Sequence, residues 1–286
     1  YTRCCSICNL QSCHRRQLAI LRGERVDTRQ LLSDNMATIA AALKTAIDED
    51  RSSKAKEKAR FGKRYYEYEH DILDNRIFDI DDNDVIREDT HASNVKIPHA
   101  FFTEQVDQKV QYLLSNPIAF ETEDEQLQTL LEEYYDEDFQ LFLQEALEGA
   151  SKKGFEYVFA RTNSEDRLTF QVADSIQTFA VYDDMGDVKR IIRYYDKDTY
   201  EKGKKGTVTI AELWGEQQVT FFTKSGDKPF ILDESREMNP RPHVLAKDSE
   251  GKLLQRAYET IPFYRLANNS KELSDLEPIK ALIDDY

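Results

Sequence analysis

The apolar positions of the first half of the chain recur at helical spacing. Ser33, Asp34 and Asn35 offer helix-capping side chains ahead of Ile39, Leu43 and Ile47, a narrow stripe with one apolar residue every four positions. The pattern predicts a helix that becomes strongly charged through Arg51 to Lys58 and meets an aromatic run, Phe61, Tyr65, Tyr66 and Tyr68. Such a narrow stripe suits packing on a neighbouring element better than a deep core. Ile77 to Ile80 and Val85–Ile86 flank Asp81, Asp82, Asn83 and Asp84, which is hairpin chemistry. Pro98 opens the next helix, with Phe102, Val106, Val110 and Leu113 on one face and Asn116–Pro117 ending it. A further helical region over residues 125–150 places Leu127, Leu130, Leu131, Phe139, Phe142, Leu143, Ala146 and Leu147 on its apolar side, a spacing typical of core.

After residue 150 the period changes. Short β-type segments are expected at 155–160, 168–172, 178–182, 188–195, 207–213 and 218–223, separated by turn residues such as Asp183, Asp184 and Gly186. An antiparallel meander fits this order. Residues 233–251 read as a loop or β-excursion, and Ile261-Pro262-Phe263-Tyr264 begins a last extended piece. A final helix is expected from Ser274–Asp275, with Glu277 in capping-box position. The pattern is still running at Tyr286, so the chain is expected to continue. The fold class is α+β: amphipathic helices packed with an antiparallel β meander, followed by the start of a further helix. Three regions are expected: an arm over 1–35, a mainly helical region with a short hairpin over 36–150, and a β-rich region ending in a helix over 151–286.

Composition sharpens this. With 40% hydrophobic and 11% aromatic residues, the chain has enough apolar surface for a packed core despite 33% charged residues. No stretch approaches the roughly 18 to 20 apolar residues of a membrane span, and no secretory leader pattern opens the sequence, so a soluble, intracellular chain without a membrane partner is expected. The formal net charge of −15 argues against tight DNA binding, which needs clustered Lys and Arg to neutralise phosphates. Residues 1–30 differ from the rest, carrying six Arg against Glu24 and Asp27. They also hold all four cysteines, Cys4, Cys5, Cys8 and Cys13. Met36 begins a plausible start, and the preceding arm is expected to be disordered, non-native and dispensable.

Candidate chemistry is sparse. Cys5, Cys8, Cys13 and His14 have zinc-type donors, but Cys13 and His14 are adjacent and no second paired motif completes the set. Asp79, Asp81 and Asn83 alternate as in a calcium loop, but Asp84 stands where glycine is required and Thr90 where the closing glutamate belongs. Gly203-Lys204-Lys205-Gly206 lacks the spacing and following helix of a phosphate loop. His70, His91, His99 and His243 sit in no nucleophile motif. Asp248, Glu250 and Lys252 could serve a metal-dependent nuclease, although a chain with 54 acidic residues produces such spacings by chance. No catalytic, cofactor or metal residue is therefore assigned, and an enzyme is not expected. The rival readings are an α+β interaction module of unknown partner and the nuclease.

Several blocks resemble the portal proteins of siphophages and related prophages. The Tyr-rich segment Arg64 to Leu73 is one, and the helix containing Phe101-Phe102, Val106-Asp107-Gln108-Lys109-Val110, Leu113-Leu114 and Pro117-Ile118 is the most specific. Asp136-Glu137-Asp138-Phe139, Ala150-Ser151-Lys152-Lys153-Gly154 and Ile191-Ile192-Arg193-Tyr194-Tyr195 follow. Ile261-Pro262-Phe263, Asn268-Asn269, Ser274-Asp275-Leu276-Glu277, Ile279-Lys280 and Leu282-Ile283-Asp284 complete the order. The resemblance covers roughly residues 60–286; residues 1–35 have no counterpart. It implies a wing-like α+β region in a ring of about twelve copies, as cyclic symmetry permits. Double-stranded DNA would pass through the ring without tight binding, during packaging and ejection. The implied partners are the terminase motor, major capsid and scaffolding proteins and a head-tail adaptor. The implied location is the capsid portal vertex of the virion, after assembly in the host bacterial cytoplasm.

Overall fold

A computed structural model describes residues 28–80, 85–116, 118–163, 167–201, 204–247 and 253–285. A 3-10 turn at Thr28–Leu32 precedes α1 (Met36–Ser52) and α2 (Lys54–Tyr66). The ribbon of β1 (Phe78–Ile80) and β2 (Ile86–Glu88) leads to α3 (Phe101–Leu113), α4 (Glu125–Tyr134) and α5 (Glu137–Lys153). The β-rich segment holds β3 (Phe155–Thr162), β4 (Leu168–Ala173), β5 (Thr178–Tyr182), β6 (Val188–Glu201), β7 (Lys204–Trp214) and β8 (Gln218–Ser225). Short strands β9 (Ile231–Leu232), β10 (Arg241–Pro242), β11 (Val244–Lys247), β12 (Leu253–Arg256) and β13 (Phe263–Ala267) precede α6 (Lys280–Asp285). The architecture is α+β with antiparallel sheets, as the change of period predicts. The chain forms two compact units interleaved in sequence. The first comprises the described residues up to Lys56 with Tyr157–Tyr264, and the second comprises Glu57–Glu156 with the described part of Arg265–Tyr286.

In the first unit β5, β6, β7 and β8 form the meander, extended by β10 and β9 on β8. Alternation along these strands turns Val181, Ile192, Tyr194, Ala211, Leu213 and Phe222 to one face. There they close on Leu31, Ile39, Leu43, Ala46 and Ile47. The helix stripe expected to pack peripherally thus lies in the deepest core of this unit. Its small flanking residues Ala40 and Ala42 also pack there. The meander is also narrower than the strand list suggests, because β4 pairs with β3 in a different sheet. Its aromatic residue Phe159 stacks on Phe263 at 4.7 Å and lies 5.9 Å from Trp214.

Capping residues correct two predicted helices. The helix expected to run on from Ile47 into the aromatic segment breaks at Ser53, which is extended and accepts the Lys56 amide at 3.3 Å. The helical region expected over 125–150 is two helices. Asp124 accepts from Gln126 and Leu127, and Asp136 accepts from Phe139, so each helix has its own start. Gly154 (φ 92) ends α5 in the left-handed conformation, satisfying the Ala150 carbonyl.

The core of the second unit joins Tyr65, Phe102, Val106 and Val110 to Leu276 and Ile283. The predicted α3 stripe holds for three of its four members, while Leu113 is 53% exposed. Leu113 is the last residue of α3, and Leu114 at its C-cap packs on the core instead. Contrary to a core assignment, α4 buries none of its residues. The predicted hairpin forms, pairing Phe78 with Glu88 and Ile80 with Ile86. The final helix begins at Lys280 rather than near Ser274. Ser274 instead accepts the Leu276 amide and donates to the Lys152 carbonyl, and the Glu277 carboxylate takes Lys58 at 2.9 Å. The expected capping box is absent.

The cap of α1 gives a direct measure of local control. Asn35 Oδ1 accepts from Ala37 at 2.9 Å and Thr38 at 3.4 Å. Asn35→Ala should lower stability by about 1 kcal/mol in urea titration, with Asn35→Ser close to unchanged.

Candidate functional site: buried polar junctions

Two ionic junctions hold the second unit together. Lys109, on the half-buried flank of α3, donates from Nζ to Asn268 Oδ1 at 2.6 Å and Asp275 Oδ2 at 2.7 Å. The same carboxylate accepts from Ser151 Oγ of α5 at 2.5 Å and, on Oδ1, from Asn268 Nδ2 at 2.9 Å. Burial alone would raise the Asp275 pKa, but the donors from Lys109, Ser151 and Asn268 outweigh it and hold the group below its usual range. One carboxylate thereby pins α3, α5 and the loop before α6.

The second junction centres on Lys280 of α6. Its Nζ donates to Asp71 Oδ2 at 2.7 Å and Asp284 Oδ2 at 2.6 Å, and it lies 4.8 Å from the Tyr65 ring centre. Tyr65 donates to Asp284 and accepts the Asp71 amide at 3.2 Å. Burial, then the Asp284 hydrogen bond, pushes the Tyr65 hydroxyl up to about 12. For Asp71 burial again opposes ionisation, and Lys280 with Tyr65 overcomes it, leaving the pKa lowered. Arg64 completes the cluster against Asp71. A third close pair, Lys153 with Glu156, packs against Gly149, where any Cβ would collide with the Glu156 carboxylate.

The first unit follows the same principle. Lys56 donates to the carbonyls of Ser175 and Thr178, and Asp50 lies 3.4 Å from its Nζ. Tyr194 contacts Asp50 at 2.8 Å, and burial, followed by that carboxylate, raises its pKa. Glu212 accepts from Tyr195 at 3.1 Å and Trp214 at 3.0 Å, with Arg193 at 3.6 Å. These carboxylates are committed to nearby donors. Such an arrangement fixes geometry and specifies packing; it does not poise a group for proton transfer.

Acid should therefore loosen the second unit. Asp71 and Asp275 have native pKa values below the ordinary 3.8. Their stabilisation is fully present above 3.8 and is lost as pH falls below it through the depressed native values. Thermal melting followed from neutral pH to about pH 2 should show this loss, and Asp275→Asn should flatten it.

The sequence candidates fall elsewhere. Cys4, Cys5, Cys8, Cys13 and His14 lie outside the described residues, as do Asp81 to Asp84, Gly203, Asp248, Glu250 and Lys252. Asp79 is exposed on β1. Among the described residues no cluster of three or more His, Cys, Asp or Glu has metal-site geometry. No described helix is long and apolar enough to cross a membrane. His91 is exposed, whereas His70 stacks on Tyr65 at 4.8 Å and meets His99 edge-on at 5.1 Å. His243 sits 2.9 Å from the Gly215 carbonyl and accepts the Tyr258 amide at 3.3 Å on Nδ1, with burial lowering its pKa. Both buried rings serve as packing groups.

Sequence spacing did not reveal the junctions, because their members are scattered through the chain. Lys109, Ser151, Asn268 and Asp275 nevertheless belong to the blocks that carry the portal resemblance, as do Arg64, Tyr65, Asp71, Lys280 and Asp284. That convergence agrees with direct comparison: the chain belongs to the phage portal proteins, matching over residues 46–286 the family described as "Phage portal protein, SPP1 Gp6-like". A curated relative is the portal protein of Bacillus phage SPP1, 32% identical over 231 residues, which is 79% of this chain and 44% of that protein. The chain thus spans less than half the length of the curated relative it matches.

Proposed function

We propose that the chain is a structural subunit of a ring at the capsid portal vertex, surrounding a channel through which double-stranded DNA enters in packaging and leaves in ejection. The family match over residues 46–286 carries this reading. About twelve copies would close by cyclic symmetry. Charge supports a passive role. Beyond the first thirty residues, which carry +4, the chain holds −19. An acidic wall repels phosphate and avoids the contacts by which Lys and Arg would arrest sliding DNA. The chain then performs no chemical step. Energy comes from a terminase motor, and the other partners are major capsid and scaffolding proteins and a head-tail adaptor. Assembly takes place in the bacterial cytoplasm and the product resides in the virion.

Negative-stain imaging of the full-length protein should show rings with a central channel; a population of monomers alone would overturn the reading. A polypeptide spanning residues 28–286, which keeps the buried Leu31 and the Asn35 cap, should not retain duplex DNA near physiological salt. Nonspecific binders reach Kd values of about 10⁻⁴ to 10⁻⁶ M there. Micromolar retention with steep salt dependence would replace the passive conduit with a gripping one.

A further inference from the structure

Helix α4 lies at the surface. It has 10 residues, none of them buried, and helices shorter than about 12 to 15 residues are marginal on their own in water. Its apolar side is open, with Leu127 44% and Leu130 47% exposed. The surrounding charge is one-sided. No Lys or Arg occurs from Val110 to Ser151, a stretch with eleven acids. Glu121, Glu123 and Asp124 stand exposed before α4, and Asp136, Glu137 and Asp138 stand exposed after it. The patch is apolar in the middle and acidic at both ends.

The complementary patch lies in the same unit. The part of α2 in this unit carries Lys58, Arg60, Lys63 and Arg64 against Glu57. Arg60 and Lys63 are exposed. Directly after them Tyr68 is held at φ 64, a left-handed conformation costly for a side chain of its size, and the residue is 45% exposed. This patch offers an aromatic group beside cations.

The elements that carry the two patches meet α5 at different points. Helix α5 has 17 residues, about 25 Å of helix. Its first turn adjoins α4 through Asp136, and its last turn carries the Lys152 carbonyl against which Gly62 of α2 is packed. The acidic patch thus sits at one end of α5 and the basic patch at the other. Two different, complementary patches at opposite ends of a rigid element are what a head-to-tail interface requires, and such interfaces close into rings. Resting on the ring reading above, we infer that α4 docks on a second copy of this chain, with Leu127 and Leu130 against Tyr68 and the flanking acids facing Arg60 and Lys63.

The test uses the full-length protein in sedimentation and negative stain. Three variants are compared with wild type: Glu121→Lys with Glu123→Lys, Arg60→Glu with Lys63→Glu, and the two pairs combined. Each pair alone should lower the apparent association constant about tenfold or more, because like charges then meet, and the combined swap should restore rings. Leu130→Asp should weaken assembly with melting of the subunit unchanged. Wild-type rings with variants that assemble equally well would overturn this interface and leave the ring reading intact. Normal variant rings that no longer enter capsids would assign α4 to a capsid component and also overturn it. Wild-type protein that forms no rings would remove the ring reading itself, and this inference with it.

Discussion

Replacing Val106 with aspartate should unfold the helical unit. The side chain is fully buried among Tyr65, Phe102, Val110, Leu276 and Ile283. The variant removes apolar burial and places a carboxylate where nothing can pair with it, a loss of about 4 kcal/mol. Whole domains have only about 5 to 15 kcal/mol of stability. Circular dichroism and urea titration should show a large early transition or no folded baseline. Leu113→Asp is the matched control: the same helix and nominal stripe, but a half-exposed site, so its effect should stay within about 0.5 kcal/mol. Equal melting of the two variants would show that burial does not separate these positions.

The second large effect is expected at Gly62. A Cβ there would collide with the Lys152 carbonyl oxygen and approach Ser274 Oγ at 3.3 Å. Alanine normally improves a helix by about 1 kcal/mol over glycine. Here the obstacle is backbone, which cannot rotate away, and overpacking of this kind costs about 1 to 3 kcal/mol or more. The clash should prevail, giving a Gly62→Ala protein destabilised by about 2 kcal/mol in urea titration. Gly206→Ala meets Thr199 alone, Oγ1 at 3.4 Å and the carbonyl oxygen at 4.0 Å, both ordinary contacts, and should melt close to wild type. Stabilisation by Gly62→Ala would mean that α2 and α5 separate more readily than this packing implies.

Periodicity made much of the fold legible. Phe102, Val106 and Val110 face the core because a 3.6-residue repeat must put them together, and the strand segments sit where alternation and turn residues place them. Helix breaks were harder to see, although Ser53 and Asp136 each stand three residues before an amide they cap. The depth of Ile39, Leu43 and Ile47 depends on an opposing sheet more than a hundred positions away, which no local stripe records. The polar junctions were the least legible. Lys109 finds Asp275 across 166 positions, and neither residue has a local pattern that distinguishes it from a solvated surface charge. Only their place in the portal-like blocks marked them.

The interleaving of the two units also fixes an order of events on the ribosome. Leu276, Ile283, Asp275 and Lys280 are synthesised after the whole segment from Tyr157 to Tyr264, yet they complete the core and junctions begun by Tyr65, Val106 and Lys109. At translation rates of about 5 to 20 residues per second, roughly a hundred intervening residues take about 5 to 20 seconds. During that delay the apolar faces of α2 and α3 lack their final cover. A pause in translation between Tyr157 and Tyr264 would lengthen that exposure.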